Sequence, residues 1–433
     1  MTSTGRPIRV LMLTCAWPPP DQPGYTTTFI RRQVDSLRAA GVEIEVFPFA
    51  SGMRPSNYLR AWVGARRHMQ RGDYDLVHAQ FGQSGLVALP KRLPLVVTFR
   101  GDDLEGIVGD DLRLTPAGRV LKFVSQVVAR AADACIVVSE HQKRFLPPSA
   151  RAHVIPSGLD FSVFRPMPRA EARRQLGLPL DRHLVLFVGN PSVPRKRYPL
   201  ACEAIEVVNR SLPTKLVVAW GMWHKDIPVF MNACDALLFT SMQEGSPNAV
   251  KEALACDLPV VSVPVGDVAQ RIGGVAGCEL CPDEAPESIA AVLERVLRRG
   301  ARAAGHAAVQ DLDERRLAQQ VIDVYRSVLG ARDGAQAVVA ERRPPRVAAA
   351  RGAPRRPASR SRAWAITTSP TTPSPRASSG RAHGRSNTRW RDSPAISRRS
   401  RGFPMLHGSS PISTSRLPVA TCCSPSTTVA RAR

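Results

Sequence analysis

The sequence predicts an α/β protein of two doubly wound, Rossmann-like domains facing across a cleft, and three observations carry that prediction. Short apolar runs suited to buried parallel strands alternate with segments of helical period along most of the chain. A turn-rich passage, Ser157-Gly-Leu-Asp160 with Phe164-Arg-Pro166, interrupts the alternation, which starts afresh at His183. The length, 433 residues, suits two or three domains. The expected division is 1–165 and 166–310 for the two domains, 311–330 for a helix packing back on the body, and 331–433 for a tail.

In the first domain, Ile8 to Thr14 is an apolar strand, followed by the loop Trp17-Pro-Pro-Pro-Asp-Gln-Pro-Gly24. A helix from about Thr26 to Ala40 places Phe29, Ile30, Val34 and Leu37 on one face, and Val42 to Phe47 is the next strand. That βαβ unit implies a parallel sheet. Gly24 stands just before the helix, where a small residue lets the backbone approach a ligand; a plain loop glycine is the alternative. Ser56 to Arg71 reads as a basic amphipathic helix, with Tyr58, Leu59, Trp62 and Val63 among Arg60, Arg66, Arg67 and Arg71, and with Ser56 as its N-cap. It either lies on an anionic membrane surface or packs on the sheet and solvates its arginines.

Further strands are expected at Asp75 to Ala79, Leu95 to Phe99, Cys135 to Ser139 and His153 to Ile155. His78-Ala-Gln80 and Arg100-Gly-Asp-Asp103 lie at strand ends that face a cleft. Asp102, Asp103, Glu105, Asp110 and Asp111 match no calcium loop and include no His, so they read as a solvated acidic loop. In the second domain, strands at Leu184 to Val188, Lys215 to Ala219, Ala236 to Thr240 and Pro259 to Val263 alternate with helices ending near Asn209, at Ile227 to Asn232, at Asn248 to Cys256 and at Pro286 to Arg299. Asp311 to Leu329 forms a last helix with an apolar side.

Composition sets bounds on function. The formal net charge is +24, yet the 20 Arg and 3 acidic residues after Gly330 supply +17 of it, leaving +7 for the rest. After Gly330 the chain turns rich in Arg, Pro and Ser, loses its hydrophobic period and reads as disordered. It contains no Lys, against seven before it, as translation of an unselected GC-rich frame would give. Nucleic-acid binding is therefore not expected of the body. No apolar run reaches the roughly 18 residues of a membrane span, and nine scattered Cys suit a reduced compartment. A cytoplasmic enzyme, compatible with the inner membrane face, is expected. Cys278-x-x-Cys281 lacks a second ligand pair for zinc.

The most informative stretch is Ser241 to Val261. A buried strand ends in a polar loop, Ser246 and Pro247 open a helix, and Glu244 and Glu252 bracket that helix start. In an open α/β sheet this edge binds ligands, and a helix N-terminus there favours phosphate. Two carboxylates beside an anion site call for hydroxyl partners, which points to a sugar phosphate.

Glu244-Gly-Ser-Pro-Asn-Ala-Val-Lys-Glu252, a Glu-x7-Glu motif after a strand, resembles the retaining GT-B glycosyltransferases of family 4. Pro23-Gly24, Ala132 to Glu140, Ile155 to Asp160 with Phe164, Phe187-Val-Gly189 with Arg195-Lys196, Asn232 to Asp235, and Pro259-Val-Val261 with Val265-Gly266 support it in order. The resemblance implies a metal-independent hexosyl transfer from a nucleotide-sugar, UDP- or GDP-linked, to a saccharide or lipid-linked acceptor of a cell-surface polysaccharide or glycolipid. It implies that Glu252 binds the ribose and that Arg195 and Lys196 neutralise the diphosphate. Gly245, Ser246, Pro247, Asn248 and Ala249 cradle that diphosphate, and Glu244 contacts sugar hydroxyls at the reacting carbon. Two positions depart from the pattern. Arg100 stands where many relatives carry a His; it is a candidate sugar or phosphate contact but no base. Asn190 follows Gly189 where several relatives have a diphosphate-binding Arg. Trp223, His224 and Lys225 are candidates for the base-binding wall. An inactive or epimerase-type GT-B relative, and a basic surface- or nucleic-acid-binding protein acting through the tail, are the competing readings.

Overall fold

The computed structural model describes residues 5–17, 28–50, 52, 54–109, 111 and 113–341, the last ten by their backbone alone. Gly24, Asp110 and nearly all of the predicted tail lie outside the described residues. The chain forms β1 (Arg9–Thr14), α1 (Thr28–Ala39), β2 (Glu43–Pro48), α2 (Pro55–Arg71), β3 (Leu76–Gln80), α3 (Gly82–Leu86) and β4 (Leu95–Phe99). It continues with α4 (Asp102–Glu105), α5 (Pro116–Ala131), β5 (Ala134–Val137), α6 (Glu140–Lys143) and β6 (Ala152–Val154). These strands make one parallel sheet of six in the order β2-β1-β3-β4-β5-β6.

The second lobe follows with α7 (Arg169–Leu176), β7 (His183–Val188), α8 (Tyr198–Val208), β8 (Thr214–Ala219), α9 (Ile227–Ala233), β9 (Ala236–Phe239) and α10 (Asn248–Ala255). Then come β10 (Val260–Ser262), α11 (Val268–Ile272), β11 (Glu279–Leu280), α12 (Pro286–Arg299), α13 (Gly305–Ala308) and α14 (Glu314–Glu341). Its sheet is also parallel, with the order β11-β10-β9-β7-β8. The inner strands β3, β4, β5, β9 and β10 are buried along their whole length, which is why they read as apolar runs without alternation.

Several expectations need correction. The α2 helix starts at Pro55, whose fixed φ suits the first helical position, so Arg54 and not Ser56 is the flanking residue, and no side chain caps it. Arg66 is not solvated: it is 7% exposed and donates to the carbonyls of Ala88 and Pro90. His78 does not face the cleft. It is fully buried, 2.6 Å from the Tyr325 hydroxyl on α14 and 2.7 Å from Thr98 Oγ1 on β4. Burial, aided by the nearby Arg100 charge, pushes its pKa down to about 3, so the ring is neutral. The last helix runs on past Gly330 to Glu341, because no proline interrupts the chain before Pro344.

The α14 helix returns from the second lobe to the first. At its start Leu159 of the junction donates to Leu312 O at 2.8 Å, and Tyr325 then inserts its ring edge against His78. Replacing Tyr325 by Phe removes the hydroxyl and leaves a buried imidazole nitrogen unpaired. The expected loss is about 1–3 kcal/mol of stability, read as a lower urea midpoint with an unchanged slope.

Candidate active site

The loop between β9 and α10 carries Glu244 to the carboxyl edge of the second sheet. Gly266, after β10, passes beneath it with φ +55°, and a Cβ there would lie 2.4 Å from Glu244 O. Only glycine permits this approach. The Glu244 carboxylate accepts from Lys196 Nζ at 2.6 Å and from Arg195 Nη1 at 2.8 Å, both through Oε1. Arg195 also donates to Gln243 O at 3.2 Å, and its Nη2 lies 3.4 Å from Asp102 Oδ2 in the other lobe. The turn after β7 places both cations: Lys196 folds its stem over Gly189, a residue with φ +143°, and Arg195 O accepts from Met242 N at 2.9 Å. Burial would raise Glu244, but Lys196 and Arg195 outweigh it and hold the carboxylate below its ordinary pKa.

Helix α10 begins beside this cluster. Pro247 is its flanking residue, no side chain caps it, and the Oγ of Ser246 is buried without a partner. Free first-turn N–H groups next to two cations make an anion site. One turn further along, Glu252 is 4% exposed and lies with Oε1 3.0 Å from His224 Nε2. Burial raises Glu252, but the His224 charge and hydrogen bond, then Arg32 and Lys251, bring its pKa below the usual value. Behind His224 stands Phe164, edge-on at 5.2 Å.

The first lobe closes the other side. Asp103 is buried and accepts from Gly82 N, Arg100 N and Gly101 N at 2.9–3.0 Å, which fixes the turn after β4. That turn meets the Glu244 loop directly. A Cβ on Gly245 would lie 2.5 Å from Gln142 Nε2 and 3.0 Å from Arg100 O. Gln243 Nε2 donates to Gly106 O at 2.9 Å.

Comparison with known proteins gives this geometry a family. The sequence model described as Glycosyltransferase Family 4 matches residues 4–163, and that described as Glycosyl transferases group 1 matches residues 186–299. The chain belongs to the family 4 glycosyltransferases. It is 29% identical to a D-inositol 3-phosphate glycosyltransferase of Kineococcus radiotolerans over 60% of this chain and 73% of that one. It is 25% identical to the putative teichuronic acid biosynthesis glycosyltransferase TuaC of Bacillus subtilis, over 61% and 83%. The fold is GT-B: the solved structure of Anabaena HepE in complex with UDP-glucose aligns with a TM-score of 0.54 at 17% identity, over 74% of this chain and all of that one.

In this glycosyltransferase the predicted residues Glu244, Gly245, Ser246, Pro247, Asn248, Ala249, Glu252, Arg195 and Lys196 do come together at the cleft edge. Asn190 lies on the same β7 loop, where its Oδ1 accepts from Ser192 N at 2.9 Å and shapes the turn. Arg100 differs from expectation: its guanidinium is spent on Gln80, Gln33 and Ser157 at 2.8–3.2 Å and lies 4.6 Å from the Phe29 ring centroid. Burial lowers its pKa to about 10, which still leaves it charged at neutral pH. Its backbone, not its side chain, borders the Glu244 loop. The first three acidic residues are not in a solvated loop, since Asp102 to Glu105 form α4, with Asp103 buried and Asp102 facing Arg195, whereas Asp111 is exposed in a turn.

Two groups have a burial that the sequence reading did not anticipate. Glu105, with its Oε1 buried and unpartnered, is raised to about 7 by burial and by Asp102. Lys251 is fully buried, donates to Ser157 O at 3.3 Å and is lowered to about 7, chiefly by burial. The only signal for Lys251 was a lysine on the helix face where apolar residues pack. Because the unfolded chain keeps that proton up to its ordinary pKa near 10.5, the folded state binds fewer protons between pH 7 and 10.5. Stability should therefore rise with pH there, by at most about 1.4 kcal/mol per unit from this group. In Lys251→Met the rise should vanish, so the parent's thermal midpoint should gain on the variant's from pH 7 to pH 9; a difference that stays constant would show that Lys251 does not titrate.

Proposed function

We propose that this enzyme transfers a hexosyl group, with retention at the anomeric carbon and without a metal, from a UDP- or GDP-sugar to a hydroxyl of a cell-surface polysaccharide or glycolipid precursor. The single observation that carries the reading is the cluster of Glu244, Arg195 and Lys196 beside the uncapped start of α10, with Glu252 one turn away. As the bond from the anomeric carbon to the diphosphate oxygen breaks, negative charge grows on the diphosphate. Lys196, Arg195 and the N–H groups of Asn248 and Ala249 are placed to stabilise it before it forms. To do so, the two cations must divide between Glu244 and the incoming phosphates, which frees a Glu244 oxygen for a sugar hydroxyl. Glu252, preset by His224, has the two acceptor oxygens a ribose diol needs.

The polysaccharide or glycolipid acceptor draws support from the TuaC likeness, and a UDP-linked donor from the HepE complex with UDP-glucose. The reading places the enzyme in the cytoplasm, at the membrane face where such acceptors are assembled. No helix among the described residues is long and apolar enough to cross a membrane.

A thermal-shift screen against UDP-, GDP- and ADP-sugars tests the donor: the right one at about 100 times its dissociation constant adds roughly 2.7 kcal/mol. Glu252→Ala should cost about 2–4 kcal/mol in kcat/KM, roughly 30- to 1,000-fold. Unchanged turnover and donor affinity in that variant would remove Glu252 from the ribose. The anomeric configuration of the product, read by NMR, decides retention against inversion.

A further inference from the structure

We propose that Glu105 is a positioning residue of the donor site: as a neutral acid, its carboxyl bridges Gln142 of the first lobe to Gln243 of the second and so holds the loop that carries Glu244. Three side-chain atoms that are buried without a hydrogen-bond partner meet at this seam, namely Glu105 Oε1, Gln142 Nε2 and Gln243 Oε1. The carboxyl of Glu105, the last residue of α4, lies against both amides. Buried polar atoms are rarely left unpaired, so the three call for one another. Chemistry fixes which end of each amide faces Glu105. Val138 N can only donate, and it donates to Gln142 Oε1 at 3.1 Å; Gly106 O can only accept, and it accepts from Gln243 Nε2 at 2.9 Å. Gln142 therefore offers Glu105 an N–H donor, and Gln243 offers it an acceptor oxygen. A carboxylate accepts from the first and sets lone pair against lone pair at the second. A carboxylic acid answers both, its carbonyl oxygen accepting from Gln142 and its O–H donating to Gln243.

The charges around the carboxyl favour the same state. Asp102 lies on its own helix, and Glu244 and Arg195 face it from the second lobe. Asp103, also on α4, is held by three backbone N–H groups. Of the helices packed on α4, α3 has no charged residue, and α5 turns Arg119 and Arg130 to solvent and Lys122 toward the Phe145 ring. On α6, Glu140 pairs with Lys143 and His141 with Arg144. Burial and the Asp102 charge raise Glu105 to about 7. With Glu105 neutral, Asp102 and Glu244 balance Arg195 and Lys196. Ionised, it would add a third carboxylate to two cations that, in the proposed reaction, must also meet a diphosphate. The inference rests on that reading of the cluster and adds a proton to it: the loop is tied across the lobes, and the cleft is charge-balanced, in one protonation state only.

Two readouts on the full chain need no ligand. A carboxyl whose folded pKa lies above its ordinary value of 4.5 stabilises most at low pH and loses that contribution as the pH rises through about 7. Glu105→Gln keeps a donor and an acceptor at this place and cannot ionise, so the parent's thermal midpoint should fall relative to that of E105Q from pH 5.5 to pH 8.5. Other titrating groups cancel in that difference. Backbone hydrogen exchange at 242–245 should quicken in the parent relative to E105Q over the same range. Q243L, which removes the acceptor, should be less stable than the parent at pH 5.5, with a smaller difference at pH 8.5; it serves where E105Q does not fold. The third readout is calorimetric binding of inorganic pyrophosphate, whose affinity for the parent, relative to E105Q, should drop roughly tenfold from pH 5.5 to pH 8.5. Differences from E105Q and Q243L that stay constant with pH, or bound pyrophosphate whose relative affinity ignores pH, overturn the proposal. Pyrophosphate binding absent from parent and E105Q alike, with midpoints and exchange moving as expected, faults the diphosphate reading and leaves the bridge standing.

Discussion

The ionic contact between Glu244 and the pair Arg195–Lys196 is the interaction on which the cleft depends. It ties the loop after β7 to the loop after β9, and through Asp102 it reaches the first lobe. A largely buried carboxylate is tolerated there only because two cations meet it, and those cations are tolerated only because of the carboxylates. Such a cluster contributes little net stability. Its consequence is that two cations are held desolvated beside the uncapped start of α10.

Around that contact the structure places its polar groups in linked series. Asp103 fixes the turn at Arg100 and Gly101, Arg100 holds Ser157 of the junction, and Ser157 O accepts from Lys251 on α10. A line of hydrogen bonds thus runs from the β4 turn of one lobe to α10 of the other. Arg100 therefore acts as a positioning group in this structure. Its planar fork serves Gln33, Gln80 and Ser157 together, which a ring with two nitrogens cannot do. The tie also gives buried Lys251 a partner: its amino group bridges the lobes where an apolar side chain would only pack.

Much of the fold was legible because parallel strands buried on both faces leave continuous apolar runs, and helices between them leave a second period. Pro286 to Arg299 was placed to the residue, since a proline at its start and a glycine after it mark both ends. Errors came where a residue's role depends on a partner far along the chain. His78 and Gln80 looked like cleft residues because they end a strand, yet Tyr325, Thr98 and Arg100 claim them. The acidic residues after Gly101 looked solvated because acids in loops usually are. Asp103 is buried because three backbone N–H groups needed an acceptor.

By itself the sequence determined the α/β class, the two lobes and the Glu244-to-Glu252 motif, since each rests on local period and short spacing that the chain carries without help. Tertiary structure alone decided which charges meet: Asp102 with Arg195, His224 with Glu252, Lys251 with Ser157. Those pairs join residues separated by up to 94 positions, and Coulomb and hydrogen-bond energies depend on distance in space and on burial, neither of which a linear pattern records.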